Sequence, residues 1–201
     1  MAVGHRRRII AAVLIVLMVA LALVAASQAA QQVSAAARLA VAAWGSVERE
    51  YKARAATAPA LADLARHLDP TREDLAARIT AAGEAVERLA PDPGTPYAPD
   101  RFRAFMDVQD ASSVSLGHLL DLVNEHPVEA NDAGVKALLA RLAEHEQRIA
   151  VARSDYVARA RAYNAELDAI PNRWTVSFFH PDASPMVASF DFSAKGSGVR
   201  P

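Results

Sequence analysis

Six histidines stand in this sequence, and histidine is the side chain best suited to hold a metal or to move a proton near neutral pH. A helical zinc site needs ligands repeated on one face, as in H-x-x-x-H or H-E-x-x-H. His67, His118, His126, His145 and His180 keep no such spacing, and His5 precedes a basic cluster. Glu144-His145-Glu146 puts its two acids on different faces of a helix. His180, Asp182 and Ser184 offer the residue types of a hydrolytic triad, yet nothing beside them supplies a strand-turn-helix elbow or an oxyanion hole. Gly94 is isolated among prolines, so no glycine-rich loop cradles phosphate. The chain has no cysteine, which excludes disulfides, thiolate zinc sites and a thiol nucleophile. The expectation is no catalytic, cofactor-binding or metal-ligating residue, and a protein that is not an enzyme.

The charged residues that do stand out lie on helical stripes. Between 131 and 170, apolar or aromatic residues recur in steps of three and four as Val135, Leu139, Leu142, Ile149, Tyr156, Ala160, Tyr163, Leu167 and Ile170. Glu146 and Arg153 fall on that same stripe. A charge on a helix seam is costly unless paired, so this helix needs a partner that answers both kinds of position. The partner is a second stripe between 33 and 68: Val33, Ala37, Ala40, Trp44, Val47, Tyr51, Arg54, Ala58, Leu61, Ala65 and Leu68. With Val33 level with Ile170 and the helices antiparallel, residue n faces about 203 minus n. Arg54 then lies a turn from both Glu146 and Arg153, forming a structural polar seam, and Trp44 falls between Tyr156 and Tyr163.

Residues 9–26 are eighteen consecutive apolar residues without a charge, Gly or Pro. A helix of that length spans roughly 27 Å, close to a hydrocarbon core of roughly 30 Å. Arg6, Arg7 and Arg8 precede it, and the next basic residue is Arg38. The excess of cations before the span puts residues 1–8 in the cytoplasm and the remainder outside, periplasmic or on the cell surface. The alternative is a signal peptide cleaved near Ala29, since Ser27-Gln28-Ala29 carries small residues where a peptidase reads, which would leave a secreted bundle. No Gly or Pro parts the span from the stripe that follows, so anchor and first soluble helix should form one rod, bent or locally opened at Pro59.

Asp69-Pro70 reads as the start of a further helix to Leu89. The proline-rich run 91–99 is a connector. A third helix over about 101–126 should bury Phe102, Phe105, Leu116, Leu119 and Val123, and Pro127 ends it. The fold class is therefore all-α: an N-terminal transmembrane helix continuing into an antiparallel bundle of about four long helices over 33–171. Beyond Pro171 the character changes. Residues 172–201 form an extended aromatic tail, either a short hairpin or a strip laid on the bundle, and Trp174, Phe178 and Phe179 within it require cover.

Charge excludes one broad class. The net charge is -1, and past the first thirty-two residues 19 basic side chains (22 less the three arginines) face 23 acids, well mixed. A nucleic-acid binder would concentrate cations on one face.

Two blocks resemble the LemA proteins of bacterial envelopes. Glu146, Ile149, Ala150, Val151, Ala152, Arg153, Asp155, Tyr156, Tyr163 and Asn164 follow that family's E-x-R-I-A-V-A-R-x-D-Y-N-x-x-V-x-x-Y-N signature. Trp44, Val47, Arg54, Pro59 and Leu61 stand at the spacing of its other block. Val157, Ala53 and His118 depart from the pattern. The resemblance covers most of residues 38–180 and implies a single-pass anchor followed by a helical bundle with no defined molecular role. Genes of the family often stand beside membrane metallopeptidases, which implies a protein partner in the envelope. The expected function is a non-catalytic membrane protein whose bundle binds or positions such a partner; the alternative is an envelope hydrolase or its accessory subunit.

Overall fold

The computed structural model describes residues 2–169 and 183–190. Its first helix, α1, runs Ala2–Ala55 without interruption. Large apolar side chains from Val13 to Val24 stand exposed along it, and burial begins only at Ala29 and Val33. Among the described residues α1 is the one helix long and apolar enough to cross a membrane.

The rod ends where proline requires it to. Pro59 lacks the N–H that would bond back to Ala55, so of the two outcomes expected there the rod opens, and α1 stops at Ala55. The Thr57 hydroxyl donates to the Arg54 carbonyl at 2.7 Å, and α2 (Ala58–Leu68) starts afresh with Pro59 in its first turn. Asp69 then accepts from both the amide and the hydroxyl of Thr71, at 2.9 and 2.7 Å. That closed local turn makes Pro70–Arg72 a 3-10 turn, and the helix expected from residue 70 begins instead as α3 at Glu73–Arg88. Helix α4 is Pro99–Glu125. Asp132 caps α5 (Ala133–Asp168) by accepting from the amides of Gly134 and Val135, which hold its carboxyl below the usual range.

α1 and α5 share the most extensive seam. Trp44 meets Tyr156, Glu50 meets Arg148 and Arg54 meets Glu146, so partner numbers descend as α1 ascends. Residue n faces about 200 minus n, nearly one turn from the register obtained by matching the stripe ends. The reason is α4: Phe102 and Phe105 pack on Trp44 and fix its height against α5, a constraint that two stripes considered alone do not contain.

Two apolar cores form along the rod. The one nearer the apolar span joins Val33, Trp44, Tyr51, Phe102, Ile149 and Tyr156. The other joins Leu61, Leu75, Ile79, Leu119, Leu122 and Leu142. Every residue of the 33–68 stripe is buried except the half-buried Ala37, and so are all five apolar residues expected of α4. On α5, Val135, Leu139 and Leu167 are only half-buried, and Ile170 lies outside the described residues.

Helix α3 crosses the break between α1 and α2 at Gly83. A Cβ there would stand 2.5 Å from the Ala58 Cβ and 3.4 Å from the Ala55 carbonyl oxygen. Gly83→Ala must therefore push the backbones apart. The expected loss is about 1–3 kcal/mol despite the better helix propensity of alanine. Urea unfolding followed by circular dichroism measures it, and a gain in stability would mean that α3 is not seated on the break.

Candidate functional site

Two polar features sit on this frame. The first is a belt between the two cores, at the level of the α1–α2 break. Arg54 is only 3% exposed. Its Nη1 donates to Glu146 Oε1 at 2.8 Å and to Ser113 Oγ at 3.1 Å. Its Nη2 reaches the backbone and side-chain oxygens of Gln109, both at 3.5 Å, and the guanidinium lies over the Tyr51 ring at 5.2 Å. Glu146, expected between the helices, is 49% exposed, so the pair is buried at its cation and wet at its anion. Such a cation is committed to the fold and has little surface with which to meet a substrate.

Arg153 is half-buried and turns to other work. Its guanidinium stacks 4.2 Å from the Phe190 ring and lies beside Tyr51, a phenol that burial pushes above its ordinary value. Of the three seam charges, the structure thus joins Arg54 to Glu146 and gives Arg153 a contact from outside the two stripes.

That contact belongs to the second feature, a strap formed by residues 183–190. It has no regular secondary structure and crosses α5 near the turn at Thr95–Tyr97. Side chains meet its backbone in place of a neighbouring strand. Asn164 donates to the Met186 carbonyl and accepts from the Met186 amide, each at 2.8 Å. This reproduces the two-bond exchange of a strand pair with a single amide group. The Tyr156 hydroxyl donates to the Val187 carbonyl at 2.5 Å, and the Val187 amide donates to the Pro96 carbonyl at 2.8 Å. The Tyr163 hydroxyl donates to the Ser184 carbonyl at 3.1 Å. Met186 is buried, and the Phe190 ring packs 5.2 Å from Phe102 and 5.8 Å from Tyr156.

The phenols that do this holding are protonated donors at neutral pH, and burial raises them further from ionisation. Burial raises Tyr156 well above its ordinary value, and it raises Tyr163 as well. Tyr97, packed edge-on against Tyr163 at 6.1 Å, is pushed up to about 12 by burial and by its neighbour. Asn164→Leu removes both clamps on Met186 at once. The expected cost is about 1–3 kcal/mol, the usual range for part-buried hydrogen bonds whose backbone partner is left unmet. The Met186 amide should also exchange with deuterium far faster; unchanged protection would show that the clamp does not hold the strap.

The spacing puts Tyr156 and Tyr163 on the helix seam, where both are buried, and the sequence reads residues 172–201 as an extended strip laid on the bundle; what it does not show is that the two hydroxyls and Asn164 hold that strip. The available signal was their polarity, since two hydroxyls and an amide at i, i+7 and i+8 exceed what an apolar seam requires. Of the family-signature residues, Trp44 forms the core, Pro59 breaks the rod, and the other three hold the strap. Trp174, Phe178 and Phe179 of the expected aromatic tail lie outside the described residues, as do His180 and Asp182. Ser184, their third partner in the triad pattern, gives its carbonyl to Tyr163.

His145, the histidine flanked by two acids, is buried, and its Nδ1 accepts from Arg148 at 2.8 Å, which occupies that nitrogen. Arg148 in turn pairs with Glu50 on α1 and Glu144 on its own helix. His126 places Nδ1 against the Leu122 carbonyl at 2.9 Å. Among the described residues no three His, Asp or Glu side chains gather in a metal-binding group.

A family model, that of the LemA family, matches residues 43–195, a stretch that includes Trp44, the polar belt and the whole strap. No curated protein and no solved structure matches the chain.

Proposed function

We propose a non-catalytic, membrane-anchored role for this chain, which belongs to the LemA family: its helices form an antiparallel bundle that binds or positions a protein partner in the bacterial envelope. The observation that carries this reading is α1 itself. Its exposed apolar half runs without a break into the core that holds Trp44. A membrane span that is also the central helix of a folded domain fixes the domain's distance and orientation from the bilayer, which is what a positioning protein requires and a freely tethered enzyme does not. The belt supports the same reading, because its cation is spent on internal partners.

The expected topology follows from the basic residues before the span. Residues 1–8 lie in the cytoplasm and the bundle lies outside. Protease added to spheroplasts should digest the bundle in intact membranes, and full protection would reverse the orientation. A chain lacking residues 9–26 from the mature membrane fraction would point to the secreted form instead. In-cell photo-crosslinking from exposed positions on α5, with the captured protein identified by mass spectrometry, tests the partner itself; a membrane metallopeptidase is the class to look for first. An envelope hydrolase, the competing reading, would require turnover of envelope material by the purified chain.

A further inference from the structure

The strap is bound as a ligand would be. An ordinary surface segment satisfies its backbone with its own turns or a neighbouring strand, whereas Met186 and Val187 have all four backbone groups met by Asn164, Tyr156 and Pro96. This is recognition of an extended backbone by main-chain hydrogen bonds, with side chains read separately. Met186 enters the core, Val187 and Ala188 are half-buried, Ser189 faces out, and Phe190 fills a slot formed by Phe102, Tyr156 and the Arg153 guanidinium. Beside Phe190 the surface opens into a pocket of about 350 Å³ whose lining includes Arg153 and Arg161.

We propose that this groove is a peptide-recognition site for an extended segment of a partner protein, carrying Met, three residues of which the first two are small or β-branched, and then an aromatic. Residues 183–190 are its occupant in cis, and a partner segment with the same pattern replaces them. The proposal rests on the partner-binding reading above and adds the site and the chemistry of the ligand.

The probe is a fluorescent synthetic peptide with the sequence of residues 183–192, offered to the full chain in detergent micelles. The unaltered chain, its groove filled, should bind at least about tenfold more weakly than the Met186→Ser/Phe190→Ser variant, whose strap holds poorly. Adding Asn164→Leu to that variant should abolish binding, and a scrambled peptide should lose about tenfold or more. If the double variant does not keep its helical circular dichroism, the unaltered chain still gives an answer. Excess peptide should speed deuterium exchange at the Met186 and Val187 amides of the chain, and the scrambled peptide should not. Equal binding of scrambled and native peptides, or no binding with unchanged exchange, overturns the proposal. So does a dimer of the unaltered chain that Asn164→Leu dissolves, because the groove would then serve a second copy. Crosslinks to a partner that map away from the groove would defeat this inference alone and leave the positioning role standing.

Discussion

Trp44→Ala is expected to remove about 3–5 kcal/mol of stability, the range for deleting a fully buried indole from a packed core. Trp44 is 0% exposed and touches three rings at once, with centroids 4.9 Å away at Phe105, 5.1 Å at Phe102 and 5.2 Å at Tyr156. Those rings belong to α4 and α5, and Phe102 and Tyr156 in turn carry Phe190 of the strap. The void left by alanine would therefore sit where α1, α4 and α5 meet, just beneath the strap, and no single helix could shift to fill it. Trp44→Phe should cost markedly less. It keeps an aromatic ring and deletes Nε1, a buried donor that has no partner among the described residues. Urea unfolding of the full chain in micelles, read by tryptophan-independent circular dichroism, makes the comparison. Equal losses for the two variants would show that ring packing is not what Trp44 supplies.

Glu146→Ala is expected to cost about 2–4 kcal/mol, somewhat below the value for a fully buried ion pair because its carboxylate is half in water. The loss comes from the other side of the pair. Arg54, 3% exposed, would keep its charge with Ser113, Gln109 and the face of the Tyr51 ring, and no carboxylate, to answer it. Removing the cation first changes the outcome. In an Arg54→Met background the Glu146 carboxylate is already free to face solvent, so Glu146→Ala should then be nearly neutral. The cycle should therefore yield a coupling of about 2–4 kcal/mol. Additive effects would mean that the two side chains stabilise the fold independently, and the belt would lose its standing as a paired unit.

The sequence by itself determined the helices and most of their buried faces. Spacings of three and four select one side of a helix, and proline and aspartate mark its ends through a missing donor and an added acceptor. Hence Trp44, Tyr51, Leu61, Tyr156 and Tyr163 are where their stripes place them, and the apolar stretch 9–26 declares itself by length alone. Periodicity along one helix carries no information about height on the next. Tertiary structure alone decided the register between α1 and α5, since that depended on Phe102 and Phe105 of α4 packing on Trp44. It also decided how wet each seam charge is: Arg54 and Glu146 occupy similar stripe positions, but only Arg54 points into the gap between two cores. The strap was legible as an extended strip laid on the bundle, but not where or by what it is held. Its backbone is met by side chains distant in sequence, and a segment without regular structure carries no period that names its partners.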